Sequence, residues 1–546
     1  MPLAPTDEQN HAINQFKTGK PLKITAFAGA GKTSTLRFLA DTRQGAGLYI
    51  AFNRAIAREA REKFPSNVDC RTTHSLAFRP VSAQFRFSSG KMTTSLNARQ
   101  LAEAFQLQDR IFGRIKLDPV GQAFLALGTV RRFCQADDPQ ILGNHVPRYG
   151  RLAGARPEEL AEIHAFTLEN AHTAWSRMID HRDRLPLGHD GYLKLWALQR
   201  PKIAADYILL DEAQDSNPVV LGVLTRQTAQ MVYVGDRHQQ IYEWRGAVNA
   251  MEKIGGCSES YLTQSFRFGL EIAAAATSVI KALGETRLIR GNPRIASSIG
   301  PVSKPAAILS RTNAGVMSEV IDTLGGERIP HVVGGVQELV RLLNDVVSLK
   351  DNKPGISPEF FGFTSWREVL EFVQEEEGEA LRMFVQLVER FGERHLLWAM
   401  RRVAEDEKGC DVVISTAHKA KGREWDSVRL SPDFVSSRPD RPATFDDAEC
   451  RLFYVAMTRA KRHLDVAPEA LTAFATRSAG LPRQLSQTPR LHRPSRPPPL
   501  PANQPPAVVL PVKPPPVPLS KPSSPAAAPQ GGLLRRIASI WRSASQ

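Results

Sequence analysis

Cysteine is scarce in this chain of 546 residues, with five in all. Cys70, Cys134, Cys257, Cys410 and Cys450 lie at least forty residues apart, which excludes a sequence-local zinc or iron–sulfur motif and fits reduced thiols better than a disulfide framework. No apolar run reaches the ~18 residues of a membrane span. The opening Met1-Pro-Leu-Ala-Pro-Thr-Asp-Glu-Gln9 has no basic segment followed by an apolar one, so no secretory leader is expected. A cytoplasmic protein is expected, nucleoid-associated if bacterial. No internal repeat is evident. Acidic residues are missing altogether from Arg483 onward, where nine Lys and Arg stand alone. Of the net charge of +15, only +6 therefore belongs to the first 482 residues. The basicity is mainly a property of the tail and by itself is weak evidence for a DNA-binding core.

What is present begins with Ala26-Phe-Ala-Gly-Ala-Gly-Lys-Thr33, between the apolar run Leu22 to Thr25 and the helix-like Ser34-Thr-Leu-Arg-Phe-Leu39. Strand, glycine-bearing loop and helix in that order form the phosphate-cradling context of a P-loop. Backbone groups of Ala28, Gly29, Ala30, Gly31, Lys32, Thr33 and Ser34 are expected to surround anionic oxygens at a helix N-terminus. Lys32 would reach the outer phosphates and Thr33 would ligate Mg²⁺. Ala26 stands where the strict pattern has its first Gly. A second motif supplies the missing weight: Tyr207-Ile-Leu-Leu-Asp-Glu-Ala-Gln-Asp215 reads as a buried parallel strand with Asp211 and Glu212 at its carboxyl end. Asp211 is then the Mg²⁺ acid, and Glu212 positions or deprotonates the attacking water. Together the two motifs imply hydrolysis of ATP or GTP.

Strand-like and helix-like segments alternate over residues 20 to 80 and 203 to 250, the α/β signature. Strand signals fade between, and Leu96 to Phe105, Val120 to Cys134 and Glu158 to Ile179 have helical spacing, which predicts an all-helical insertion. A second α/β series starts at Ala306 and resumes at Asp411, Ser427 and His463. The expected architecture is α/β, with two parallel-sheet lobes and helical insertions. The first lobe takes residues 1–87 and 196–262 around an insertion at 88–195. The second takes 263–336 and 408–481 around a small helical insertion at 337–407. Sixteen prolines from Pro489 to Pro529 predict a disordered proline-rich linker over 482–531, and residues 532–546 read as a basic amphipathic segment. This tail is open to non-specific DNA affinity through its charge, to docking on a protein partner or an anionic surface, or to a bland, solvated role.

Two further segments have a purpose only if a second lobe closes on the nucleotide. In Val232-Tyr-Val-Gly-Asp-Arg-His-Gln-Gln-Ile-Tyr-Glu-Trp-Arg-Gly-Ala247, Gln239 is placed to sense a γ-phosphate. Tyr242 and Trp244 are candidate stacking platforms for single-stranded bases. In Glu449-Cys-Arg-Leu-Phe-Tyr-Val-Ala-Met-Thr-Arg-Ala-Lys461, a helix through Ala460 puts Leu452, Phe453, Ala456, Met457 and Ala460 on one arc, with Arg451 and Thr458 opposite. Arg459 falls at the border, where a guanidinium can stabilise transferring phosphoryl charge.

In this motif order, over roughly residues 4 to 467, the chain resembles the UvrD/Rep-like superfamily 1 DNA helicases. The resemblance implies two RecA-like lobes using ATP and Mg²⁺, with single-stranded DNA and single/double-strand junctions as partners. It places Gln9 of Thr6-Asp-Glu-Gln9 at the adenine, and Asn53, Thr73 and His74 on DNA. It makes Arg267 of Ser265-Phe-Arg267 a second γ-phosphate arginine and Arg459 the finger. In Thr416-Ala-His-Lys-Ala-Lys-Gly-Arg-Glu424 it implies Glu424 at the ribose and His418 at DNA. Arg237 and His238 replace acidic or amide residues of the family pattern, which implies a more basic pocket floor. Ala51-Phe-Asn-Arg and His189-Asp-Gly-Tyr-Leu-Lys-Leu-Trp196 are most similar to the F-box DNA helicase branch. No F-box is seen before the motor, so no ubiquitin-ligase role is expected. The resemblance further implies 3′→5′ movement and unwinding in repair, recombination or replication. A translocase that strips proteins with little unwinding, and an ATP-gated scaffold, are the alternatives.

Overall fold

The computed structural model describes residues 4–85, 89–243, 246–435 and 445–480. Trp244 and the whole proline-rich and basic tail lie outside the described residues.

Each lobe is built on a six-stranded parallel sheet. In chain order the first lobe opens with β1 (Leu22–Ala26), β2 (Gly47–Ile50) and β3 (Val68–Arg71). The first insertion contributes a small hairpin, β4 (Arg110–Phe112) and β5 (Ile115–Leu117), and β6 (Tyr207–Leu210), β7 (Gln230–Gly235) and β8 (Ser258–Leu262) complete the lobe. The sheet order is β3-β2-β6-β7-β1-β8. Every residue of β2, β6 and β7 is buried, because helices cover both faces of a parallel sheet; hence their continuous apolar runs. The carboxyl ends of β1, β6 and β7 lead directly into the glycine loop, Asp211 and Asp236. Three neighbouring strands thus deliver their chemistry to one edge, the usual ligand site of open α/β sheets.

The second lobe contains β9 (Ser298–Ile299), β10 (Ala307–Ser310), β11 (Pro330–Val332), β12 (Val412–Thr416), β13 (Trp425–Leu430) and β14 (Ala460–Asp465), in the order β11-β12-β10-β13-β14-β9. The helix Asp447–Met457 leads into β14 and is buried from Leu452 to Met457. It ends at Met457, so Ala460 belongs to the strand and not to the helical arc expected of it. Thr458 and Arg459 lie in the junction, and both are buried.

Two expectations about the first insertion are corrected. It is not all-helical, since β4 and β5 pair antiparallel around Gly113-Arg114, and Gly113 has a φ of +56°, a conformation that glycine adopts without strain. The boundary expected at 195/196 also cuts through the helix Gly188–Leu198. Phe133, Trp175, Leu193 and Trp196 of this region share one apolar core with Ile208 and Leu210 of β6. The insertion therefore covers one face of the first sheet.

The insertions also touch one another. Phe361, from the second, enters an apolar cluster of Phe112, Ile115, Leu125 and Leu152 from the first. Its carbonyl accepts the Arg151 N–H at 2.9 Å, and Arg151 pairs with Glu368 at 2.9 Å. Gly150 fits beneath because a Cβ there would lie 2.3 Å from the Phe361 oxygen. Among the described residues no helix is long and apolar enough to cross a membrane, and all five cysteines are free.

Candidate functional site

The glycine loop takes its shape from Gly29 and Gly31, with φ of +72° and +75°. A Cβ on Gly29 would lie 2.6 Å from both Arg267 Cβ and Ser265 Oγ, so the loop lies directly beneath the Ser265-Phe-Arg267 segment. Gly31 precedes the helix Lys32–Asp41 and supplies no side-chain cap, which leaves first-turn N–H groups for an anion. Gly29 to Ser34 line a cleft of about 470 Å³ together with Glu212, Gln239, Arg267, Glu424 and Arg459. Ala28 is a correction: it is fully buried and its N–H donates to Tyr454 Oη at 3.0 Å, so that amide is already used.

Lys32 Nζ lies 2.9 Å from Glu212 Oε1. Burial pushes the Lys32 ammonium down, but Glu212, Asp236 and Asp211 outweigh it and hold the group above its ordinary value. Burial pushes Glu212 up, yet Lys32 and Lys421 together hold its carboxyl at about 2. Asp211 moves the other way, raised by burial and by the charge of Glu212. Its Oδ2 accepts from Tyr49 Oη at 2.7 Å and Thr33 Oγ1 at 3.2 Å, and its Oδ1 accepts the Glu212 N–H at 2.9 Å. Glu212 has a φ of +51°, uncommon for a residue with a side chain.

One hydroxyl and one carboxylate, from Thr33 and Asp211, are too few for an all-protein metal cage, and no cluster of three or more His, Cys, Asp or Glu suited to a metal occurs among the described residues. They do suit Mg²⁺, which keeps most of its waters and is held by one or two protein groups plus substrate phosphates.

The second lobe closes the cleft. Arg267 Nε donates to Glu424 at 2.6 Å and Nη1 to the Thr458 carbonyl at 3.2 Å. Arg459 is 2% exposed; its Nε donates to the Val455 carbonyl at 2.9 Å and its Nη2 reaches toward Gln239 Oε1 at 3.5 Å. Burial, reinforced by Arg267, lowers its guanidinium to about 9, which leaves it charged at neutral pH. Gln239 Nε2 donates to Asp236 Oδ2 at 2.7 Å.

Sequence reasoning missed the groups that tie the two halves together. Tyr454 Oη donates to Asp236 Oδ2 at 3.0 Å while accepting the Ala28 amide. Lys421 donates to the Gln239 carbonyl at 2.7 Å and pairs with Asp215. Within the first lobe, Gln214 Oε1 accepts the Asp236 N–H at 3.1 Å. Lys421 lies within the Thr416–Glu424 motif; Tyr454 gave no signal beyond its place in an apolar helix.

The expected basic floor at Arg237 and His238 is not found. Both turn to Glu285, at 2.7 and 3.2 Å, and neither lines the cleft. Gln9 does not line it either: its Oε1 accepts the Thr6 N–H at 3.0 Å and its Nε2 donates to Thr35 at 3.0 Å, although it lies beside Gly31. Phe266, which the motif leaves without a role, is 47% exposed and stands over Gly31, its ring 3.4 Å from where a Cβ would be.

The DNA candidates fall into two groups. Thr73 begins the helix Thr73–Ser82, capped by Thr72, and His74 approaches Asp190 at 3.5 Å and packs on Tyr192. The Thr73–Ser75 and His189–Trp196 segments thus form one surface. Tyr242 is half-buried rather than exposed; its Oη donates to the His418 carbonyl at 3.1 Å, and its ring lies parallel to Phe52 at 6.2 Å. Asn53 caps the helix Arg54–Lys63 by accepting the Ile56 N–H at 2.9 Å and lines the cleft.

Residues 164–253 match the UvrD/REP helicase N-terminal domain family, and residues 306–467 match the UvrD-like helicase C-terminal domain family. The chain is similar to F-box DNA helicase 1 of Gallus gallus, 32% identical over 84% of this chain and 48% of that protein. It is similar to F-box DNA helicase protein 1 of Schizosaccharomyces pombe, 30% identical over 88% of this chain and 59% of that one. DNA helicase II of Escherichia coli is 22% identical over 50% of this chain and 40% of its own length. The chain thus spans about half the length of the curated relatives it matches.

Proposed function

We propose that this chain, a member of the UvrD/Rep-like helicase family, is an ATP-driven motor on single-stranded DNA that moves 3′→5′ and unwinds duplexes. The observation that supports it best is one cleft shared by Lys32, Thr33 and Glu212 from the first lobe and Arg267 and Arg459 from the second, with Asp211 accepting from Thr33 Oγ1 at 3.2 Å. In this reading the open amides after Gly31 and the Lys32 ammonium bind the phosphates, with Phe266 at the base and Glu424 at the ribose. Thr33 and Asp211 would hold Mg²⁺, which neutralises phosphate charge when bound. Lys32 and Lys421 keep the Glu212 carboxylate ionised, so it can orient the attacking water or take its proton. It becomes a stronger base as Lys32 turns to phosphate. Arg459, charged and fixed by the Val455 carbonyl, meets the charge of the transferring phosphoryl group, as does Arg267.

The test is kinetic. Lys32→Ala is expected to abolish DNA-stimulated ATP hydrolysis, and Glu212→Gln to keep ATP binding while losing turnover. Arg267→Ala or Arg459→Ala should lower kcat by ~10³-fold, the scale of arginine fingers. A fall below about fivefold in both arginine variants would reduce them to structural salt-bridge partners. Strand displacement on 3′-tailed but not 5′-tailed duplexes is the expected polarity. ATP use without displacement on either tail would leave translocation alone.

A further inference from the structure

The outer face of the second insertion carries a column of stacked rings that the nucleotide cleft does not use. The helices Glu379–Phe391 and Glu393–Met400 meet at Gly392, and their inner faces pack Phe384, Val388, Leu396 and Ala399 into the core of the insertion. Outside, the Phe391 and His395 rings lie 6.2 Å apart at 19°, and those of His395 and Trp398 lie 5.3 Å apart at 24°. A guanidinium closes each end: Arg390 Cζ is 4.9 Å from the Phe391 centroid, and Arg402 Cζ is 4.7 Å from that of Trp398. His395 and Trp398, three apart on the second helix, share a face, and the turn at Gly392 sets Phe391 of the first helix beside them.

This column is not a hidden part of the core. Trp398 is 48% exposed, and Arg390, Arg394, His395, Arg401 and Arg402 are exposed with it. The neighbouring carboxylates are already engaged, Glu393 by Lys350 at 2.7 Å and Glu389 by the Trp366 indole N–H at 2.9 Å. Among the described residues, Arg390, Arg394, Arg401 and Arg402 form no ion pair. A large indole left in water, framed by uncompensated guanidinium groups, is suited to a flat, anionic ligand.

We propose that this face is a second binding surface for single-stranded nucleic acid, separate from the nucleotide cleft. Unpaired bases stack on Trp398 and His395, and the arginines take the phosphates. A duplex would use the charges but not the rings, because its base faces are already stacked; an exposed ring column favours splayed bases. Binding here requires no nucleotide, so it stands or falls independently of the motor assignment.

The test is equilibrium binding of the full chain to labelled oligo(dT), without ATP, followed by anisotropy across a salt series. Trp398→Ala is expected to weaken binding by about tenfold, the scale of one base–aromatic stack, and Trp398→Phe to restore most of it. Arg394→Gln with Arg401→Gln should make the log–log salt dependence shallower by ~0.7 for each single-strand phosphate that is no longer neutralised. kcat of the DNA-stimulated ATPase at saturating DNA should be unchanged in all of these variants. Unchanged affinity and salt slope in both the tryptophan and the arginine variants would overturn the proposal and leave the face to a protein partner. An equal loss on duplex and on oligo(dT) would overturn its single-strand character. The exposed position of Trp398 leaves the fold intact on truncation, and the arginine pair reads the same surface without touching the ring.

Discussion

Asp215 and Glu285 are both buried acids, one above its ordinary ionisation range and the other below it. Burial raises Asp215 to about 6, despite its bridge to Lys421. Burial also pushes Glu285 up, but the His238 hydrogen bond, the Arg287 N–H and the Arg237 charge prevail, and its carboxyl is held well below the carboxylate range. Linkage gives the two opposite signs. The folded chain binds a proton at Asp215 more readily than the unfolded chain does, so this group adds stability as pH falls from about 6 toward 3.8. Glu285 contributes stability above the unfolded value of 4.5, and that contribution is lost as acid protonates the folded carboxylate. Denaturant midpoints measured from pH 6 downward should therefore fall more steeply in Asp215→Asn than in the parent chain. They should fall less steeply, from a lower neutral value, in Glu285→Gln. The same slope in both variants would remove this assignment.

At this scale the sequence was readable where chemistry demands a rare residue pattern. Gly31-Lys32-Thr33 and Asp211-Glu212 follow strand ends in a pattern rare outside nucleotide sites, and the structure brings them together. Tyr49 and Tyr454 were not readable, because an aromatic in an apolar strand or helix satisfies the core equally well. Only the fold reveals that Tyr49 donates to Asp211 and Tyr454 to Asp236.

Among the elements, the helix Asp447–Met457 best shows how sequence periodicity runs out. Its apolar positions continue through Ala460, but the chain leaves the helix at Met457 because Ala460, in β14, pairs with Trp425 of β13; tertiary pairing overrides the helical pattern. The early stop is what places Arg459 in the junction beside Gln239. One turn earlier, Tyr454 joins the helix to the first lobe at two points, Asp236 Oδ2 and the Ala28 amide, both at 3.0 Å. Tyr454→Phe keeps the ring and removes only the hydroxyl. It leaves the buried Ala28 amide without a partner, at about 1–3 kcal/mol, while Asp236 Oδ2 keeps the Gln239 Nε2 donor at 2.7 Å. Because those groups flank the glycine loop and Gln239, kcat should fall more than KM for ATP rises, and ATP used per base pair unwound should increase. A loss of thermal stability with unchanged kinetics would make the hydroxyl purely structural. The β4–β5 hairpin was legible in hindsight: Ile111, Phe112, Ile115 and Leu117 around Gly113-Arg114 carry a two-residue turn with glycine first. Strands of three residues are too short to outweigh the helical signals on either side.

For the whole molecule, two lobes with an insertion in each could be read from the alternation of strands and helices. The contact between the insertions could not, since it joins Phe361 to residues about 200 positions away in sequence, and no local pattern encodes such a pairing. Phe361 is 3% exposed, and truncating a buried phenylalanine costs about 3–5 kcal/mol. Phe361→Ala should therefore speed amide hydrogen exchange around Tyr149 to Leu152 and Ser357 to Phe363 while leaving β1 and the Lys32–Asp41 helix protected, a local rather than a global opening. Exchange that rises equally in all of these segments would show that the contact is not a separate unit of stability.

The Phe361 contact also changes what kind of machine two lobes can be. Lobes joined only at the cleft form an open hinge, free to rotate about several axes. Joined again through Phe361 and the Arg151–Glu368 pair, they form a closed linkage. While that second joint holds, the permitted rotations are those whose axis passes near Phe361, and the displacement at Arg459 is fixed by its distance from that axis. For a cleft that opens under this constraint, the insertion would be the fulcrum, and its distance from the cleft would set the opening for a given turn.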